Sequence, residues 1–340
     1  MKDSVFLTIG IASYNYGRYL SRAFDAIRAQ SFQDFEILYC DDGSTDDSVS
    51  RIRKFMQDYP EMRIRLIEGE NAGVMENKNR ILENARGQYV MLCDADDWME
   101  PDCLAELCGR AMQTGADQVV GSFQNVDENG RVLQVQNVPA VPTKWTWGVH
   151  HATIYNMAII RAHHLRMELG AYPDDVHFNM VFHQYSNEIQ CVNKVLYNWY
   201  THSGSASARS AKKDMWHGAA MLHSTMEYIP PIYQAEQDPE ERRKIEYMAA
   251  KMYGLAVYYR SPGASCREFL RDYRESRNLM DTHFPGWRNN PYVSRADGGG
   301  LVRARTAQII WFTSVLEKLH LMPLALAGYW GVSHFVAFGI

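Results

Sequence analysis

Residues Tyr89–Pro101 read YVMLCDADDWMEP. An apolar, strand-forming run leads straight into Asp94, Asp96 and Asp97, and Asp102 follows just past the proline. Like charges this close repel, and carboxylates are rarely buried without a partner. The run therefore delivers its acids to something, and the neighbouring runs show what.

VFLTIGIAS (Val5–Ser13), FEILYC (Phe35–Cys40) and IRLIE (Ile64–Glu68) share the character of YVMLC (Tyr89–Cys93). Between them lie segments of helical spacing. Leu20, Phe24 and Ile27 recur at i, i+4 and i+7, Ile52 and Met56 mark the next segment, and NKNRILENARG is expected to end on Gly87 as its C-cap. This alternation predicts βαβ units and a mostly parallel sheet. From about Asp117 the pattern changes to two strands around the turn DENG (Asp127–Gly130). Beyond Ser207 it is largely helical, with Asp238 as an N-cap and Pro239 at the first helical position.

Polar clusters follow each of the first four runs: Ser13-Tyr14-Asn15, Asp41-Asp42-Gly43-Ser44, Asn71-Ala72-Gly73 and Asp94-Ala95-Asp96-Asp97. In an open parallel sheet the carboxyl ends share one edge, and ligands bind in the crevice there. Neither GxGxxG nor GxxxxGK[ST] is present, which excludes the dinucleotide fingerprint and the P-loop. An acidic rim accepts a phosphate only through a divalent cation, and hard oxygen ligands favour Mn²⁺ or Mg²⁺. Asn, Ser and Tyr suit a ribose and a flat base, so the chemistry fits a metal-bound nucleoside diphosphate. Read alone, DDGSTDD (Asp41–Asp47) is also a loop and helix N-terminus in which Ser44 or Thr45 caps.

Taken in order, IASYNYGRYLSRAFDAIRAQSFQDFEILYCDDGSTDDS, ENAGVMENKNRILENARGQYVMLCDADDWMEPD and YPDDVHFN resemble the family 2 glycosyltransferases of the bacterial cell-surface polysaccharide type, over about residues 4–207. The resemblance implies a GT-A fold: a Rossmann-like α/β domain with a mostly parallel central sheet and flanking helices. It also implies an inverting transfer from a nucleoside-diphosphate sugar, UDP-linked by preference. Ala12, Tyr14 and Asp42 would hold the base, with Asn71, Gly73 and Lys78 in the third loop beside the donor. The DxD motif falls on Asp94, Ala95 and Asp96; its first acid would meet the ribose, or join as a second metal ligand, and its last would hold the metal.

The acidic pair Asp174-Asp175 stands where the family more often has Glu-Asp, with Asp175 as catalytic base and Asp174 supporting it. Lys78 replaces a frequent arginine, which keeps the charge and loses the bidentate fork. His202, in YTHSGSAS, matches a loop that closes over the pyrophosphate, as a metal ligand or phosphate donor. Trp147, His150 and His151 are candidates to line the acceptor pocket, because flat sugar faces pack well on indoles.

The expected organisation is a catalytic domain over 1–207 and a helical region over 208–340, with a membrane-associating tail at about 307–340. Residues 1–204 hold 18 basic and 27 acidic side chains, a balance of −9, and residues 205–340 hold 17 and 13, a balance of +4. Such asymmetry points to different partners for the two regions, neither of them a nucleic acid. Leu319–Ile340 contains no Asp, Glu, Lys or Arg, yet prolines, glycines and histidines interrupt it, which favours lying on an anionic membrane over spanning it. The start MKDSVFLTIGIASYN shows no basic leader, and the six cysteines form no CxxC pair or zinc-ligand spacing. These features predict a cytoplasmic protein, peripheral on the inner membrane face. Two rivals carry similar acids: a sugar nucleotidyltransferase, which needs a Gly-rich basic loop near the first strand, and a phospho-acceptor signalling domain, which needs no Asp174-Asp175.

Overall fold

Strands buried on both faces need no alternation of polar and apolar residues, and the first four runs read accordingly. In the computed structural model, which describes residues 5–139, 144–145, 148–170, 173–202, 218–258, 265–302 and 304–333, these runs become β1 (Leu7–Ser13), β2 (Phe35–Asp41), β3 (Ile64–Glu68) and β4 (Tyr89–Asp94). They pair in parallel in the order β3-β2-β1-β4. β1 and β2 are buried along their whole length, whereas β3, at the edge, is half-exposed. Register sets Ser13 beside Asp41, Asp41 beside Glu68 and Ala12 beside Asp94, so the four polar loops leave one rim.

Past β4 the sheet mixes direction. β8 (Thr153–Asn156) lies antiparallel to β4 and β6 (Gln118–Val126) antiparallel to β8; β9 (Ile189–Tyr200) runs parallel to β6, and the short β5 (Trp98–Met99) pairs antiparallel with β9. The DENG turn does join two antiparallel strands, β6 and β7 (Val132–Gln136), with Gly130 at φ 76°. The resulting curled, mostly parallel sheet has the GT-A architecture that the resemblance implied.

The helices cover both faces. α1 (Leu20–Arg28) buries the expected Leu20, Phe24 and Ile27 together with Ala23. α2 (Ser48–Asp58) buries Ile52 and Phe55, while Met56 is only half-buried. Phe24 and Phe55 stack at 3.9 Å between ring centroids and fasten α1 to α2. α3 (Val74–Asn84) corrects one expectation: its C-cap is Ala85, in extended backbone, and Gly87 caps nothing. At Gly87 a Cβ would lie 2.5 Å from Thr8 N and 2.5 Å from Tyr89 O, so the glycine allows the chain to pass close against β1 before β4 begins. The Thr8 hydroxyl accepts from the amides of Arg86 and Gly87, sealing that crossing. α4 (Cys103–Thr114), α5 (Met157–Ala162) and α6 (Asp174–Tyr185) complete this layer. All six cysteines are free thiols, and Cys40, Cys93, Cys103 and Cys108 are buried.

The chain divides into two compact units, the sheet with these helices up to His202 and a helical unit from Ser203 onward, which also takes Thr143–Thr146 and Ala171–Pro173. The expected boundary at Ser207 lies outside the described residues. The second unit contains α7 (Gly218–Ala235), α8 (Pro239–Tyr258), α9 (Cys266–His283), α10 (Ala304–Lys318) and α11 (Met322–Ser333). The Asp238 carboxylate accepts from the amides of Glu240 and Glu241 and caps α8 as its sequence position implies. Ser265 and Glu268 form a reciprocal capping box on α9. Among the described residues, the uncharged run from Leu319 opens with a turn and continues as the twelve-residue α11. Among the described residues, no helix is long and apolar enough to cross a membrane.

Candidate active site

The loops after β1 and β2 are knitted together by their own polar side chains. Asn15, held at φ 58°, accepts at Oδ1 from the amides of Thr45 and Asp46, and its own amide donates to Ser44 Oγ. Ser44 also donates through its amide and hydroxyl to the Asp41 carboxylate. Ser44 and Thr45 therefore do not cap α2, which begins at Ser48 with Asp46 accepting from the Ser48 amide. Tyr14 is half-buried and Ala12 buried at the mouth of β1.

Asp42 has an almost fully buried side chain whose carboxylate accepts from the amides of Ala72 (2.9 Å) and Gly73 (2.8 Å) and from Arg80 (3.1 Å). It thus fixes the third loop, in which Gly73 adopts φ 93° and Asn71 stays exposed. Arg80 was not singled out from the sequence; a helical arginine six residues past Val74 carries no signal of its own until the fold returns α3 to β2.

At the end of β4 the acids separate into two environments. Lys78, 4% exposed, reaches from α3 to lie 3.9 Å from Asp94 and 3.8 Å from Asp174, two carboxylates far apart in sequence. Burial works to discharge Lys78, but Asp94, Asp174, Asp175 and Asp97 outweigh it and hold its pKa above the ordinary lysine value. Burial likewise opposes ionisation of Asp94, yet Lys78 and then His150 overcome it and keep that carboxyl well below the usual range. Lys78 Nζ lies 3.3 Å from His150 Nε2.

Asp96 has a different partner. Its Oδ2 lies 2.8 Å from His202 Nε2, and the other ring nitrogen of His202 meets the Tyr19 hydroxyl at 3.0 Å. Burial and the nearby Asp94 raise the Asp96 pKa, with His202 opposing. Arg22 donates to the Asp96 carbonyl, its guanidinium lying 3.8 Å from the Trp98 ring centroid and 4.2 Å from that of Tyr200. Arg22 escaped the sequence reading because only the β5–β9 pairing brings those two rings to α1. Asp97 points inward and accepts from the Tyr200 amide, anchoring the turn to β9.

Asp174 and Asp175 open α6. Asp175 accepts from the Val176 amide, and burial followed by the Asp174 charge pushes its pKa up to about 6. A carboxylate that titrates near neutrality is matched to taking a proton from a hydroxyl. His150 and His151 lie in the same cluster, with nitrogens 3.7 and 4.0 Å from Asp94 Oδ2. His151 stacks on Trp199, and burial together with His150 depresses its pKa to about 3, so it is neutral.

The Asp94, His150 and His151 ligand atoms lie within 4.8 Å of one another, a grouping hidden in the sequence by the span of chain between them. The ammonium of Lys78 already supplies positive charge there. Asp96 with His202 sets a carboxylate oxygen beside an imidazole at the other end of the turn. Trp147 lies outside the described residues. Its neighbour Trp145 is fully buried in the helical unit and donates to Glu241.

Comparison with known proteins bears on the fold and the family. The chain is 25% identical over 255 residues to the putative glycosyltransferase EpsH of Bacillus subtilis, covering 69% of this chain and 71% of that one. It is 26% identical over 226 residues to the glycosyltransferase GlyA of Streptococcus pneumoniae, where the match covers 59% of this chain and only 31% of the relative. Among solved structures, residues 1–349 of S. aureus TarS in complex with UDP-GlcNAc share the fold at a TM-score of 0.69, with 14% identity over 93% of this chain and 92% of that one. The mannosyltransferase PcManGT of Pyrobaculum calidifontis, solved with GDP-Man and Mn²⁺, shares it at 0.52, with 13% identity over 92% and 88%. The model of glycosyl transferase family 2 matches residues 8–188, more than half of the chain, and the protein is a glycosyltransferase of that family.

Proposed function

We propose that this glycosyltransferase moves a sugar from a nucleoside-diphosphate donor, UDP-linked by preference, to a hydroxyl of a glycan or lipid-linked glycan in cell-surface polysaccharide synthesis, with inversion and with Mn²⁺ or Mg²⁺. One observation carries the reading: Lys78 lies between Asp94 of the DxD turn and Asp174 beside the candidate base, so donor end and acceptor end belong to one electrostatic cluster. UDP-GlcNAc in TarS and GDP-Man with Mn²⁺ in PcManGT support a nucleotide-sugar donor. The 28% identity to Escherichia coli chondroitin synthase over 169 residues supports a glycan acceptor.

The base would lie at the mouth of β1 against Ala12 and Tyr14. Asp42 would meet it with whatever capacity its three internal donors leave, and Asn71 and Gly73 would flank the donor. Asp94 would face the ribose. A divalent cation at Asp96 and His202 would neutralise the charge that develops on the diphosphate as it leaves. Asp175 takes the proton of the acceptor hydroxyl while the acceptor oxygen bonds to the anomeric carbon and the bond to the diphosphate breaks. Lys78 lies 3.8 Å from Asp174, whose charge acts with burial to raise the pKa of the neighbouring Asp175. His150 and His151 would form one wall of the acceptor pocket, and Trp147 is retained as a candidate for the same wall.

The test is product analysis with a panel of nucleotide sugars, with Mn²⁺ and after chelation. Release of nucleoside diphosphate that stops on chelation is expected. Pyrophosphate release would instead mark a nucleotidyltransferase and overturn the proposal.

A further inference from the structure

The outward face of α10 and α11 combines features that soluble surfaces avoid. Trp311 and Phe312 on α10, Leu319 and Leu321 in the connecting turn and Leu324 on α11 are all exposed, Leu324 by 72%. Trp311 and Phe312 adjoin each other, and Leu319, Leu321 and Leu324 follow closely along the chain; clustered exposed apolar residues mark a contact site. On α10, Gln308, Trp311, Phe312, Val315, Lys318 and Leu319 fall at helical spacing and form one stripe that is exposed apart from half-buried Val315.

The charges on this segment are sorted by direction. Over 304–333 the only acid is Glu317, and it points inward: its side chain is 1% exposed, accepts from Tyr253 and pairs with Arg277 and Arg288. The segment's cations, Arg305 and Lys318, are exposed. Lysine on such a face covers apolar surface with its stem while the ammonium reaches the polar boundary.

We propose that this face docks on an anionic lipid surface, with Trp311, Phe312, Leu319, Leu321 and Leu324 entering the headgroup region and Lys318 and Arg305 meeting the anionic headgroups. Among the described residues no helix is long and apolar enough to cross a membrane, so the proposed contact is one of a face lying on the lipid surface. Charge selects the occupant. In a second copy docked face to face, the exposed cations of this segment would meet the same cations, whereas an anionic bilayer complements both the apolar and the basic parts.

This deepens the reading of a lipid-linked acceptor, but vesicle binding is measured without any sugar transfer, so the two fail separately. The full chain would be sedimented with vesicles of phosphatidylcholine alone and of phosphatidylcholine mixed with phosphatidylglycerol. Binding is expected only with phosphatidylglycerol, and Leu324→Glu or Phe312→Glu should weaken it by about tenfold or more. Lys318→Glu should weaken it less and lessen its salt dependence. A thermal shift produced by the nucleotide sugar that is unchanged in each variant shows that the fold and donor site are intact. Absence of wild-type binding, equal binding by the Leu324 and Phe312 variants, or a lipid-free dimer that Leu324→Glu dissociates would overturn the proposal.

Discussion

Asp175 and Lys78 are opposite outcomes of the same burial. For Asp175, burial and the neighbouring Asp174 raise the pKa from 3.8 to about 6. Turnover that needs the carboxylate should rise with pH and level off above about 6, and Asp175→Asn should remove that limb and lower turnover by about 10²–10⁴. Stability runs the other way. Between the two values the folded protein keeps a proton that the unfolded chain gives up, so stability falls as pH rises through that window. Asp175→Asn should therefore stabilise the protein at neutral pH, on the order of 1–2 kcal/mol in denaturant unfolding. A variant both inactive and less stable would place Asp175 in a structural role. For Lys78, neighbouring acids prevail over burial. Lys78→Met leaves Asp94 and Asp174 without their shared cation and should cost about 3–5 kcal/mol. Adding Asp174→Asn should recover part of that loss; strictly additive losses would show that the two residues are not coupled.

Among the elements, position matters more than propensity. Helical periodicity located the buried stripe of α1, because Leu20, Phe24 and Ile27 face the sheet whatever lies beyond it. The end of α3 was misjudged at Gly87 because glycine satisfies two different demands, a left-handed cap and a close approach of backbones, and only packing tells them apart. Gly87→Ala should cost about 1–3 kcal/mol in urea unfolding, since the clash is with the backbone of β1 and β4. A neutral result would mean that the crossing has slack. The loops behave likewise: Asp42, expected at the base, also ties its loop to the next, as Asn15 does. Asp42→Ala should therefore weaken donor affinity through the Asn71–Gly73 loop, seen as a raised KM for the nucleotide sugar with little change in kcat.

Over the whole molecule, a donor and cation bound as proposed would bind only the folded catalytic unit. Saturating nucleotide sugar with Mn²⁺ should raise its melting temperature, by about 2.7 kcal/mol of added stability at a hundredfold excess over Kd. Chelation should reverse the shift, and a shift insensitive to chelation would detach the metal from donor binding. The charge asymmetry has a spatial counterpart: acids of the first unit gather at the sheet rim, and cations of the second include exposed Arg305 and Lys318. The uncharged run expected to contact a membrane is visible in the sequence, but the direction its neighbouring charges face is not. A turn divides that run from α10, and the inward turn of Glu317 leaves the segment's exposed charges as cations alone.

By itself the sequence determined the four parallel strands, the polar loops at their carboxyl ends, the hairpin at DENG and the family. Each is written in local periodicity or in motifs carried on one short stretch. The tertiary structure decided the pairings: Asp96 with His202, Lys78 with Asp94 and Asp174, Arg22 between Trp98 and Tyr200, and Asp42 with the third loop. The reason is physical. Periodicity reports which face of an element meets the core, whereas an ion pair or a shifted pKa depends on distance and burial, and both are set only when remote segments pack.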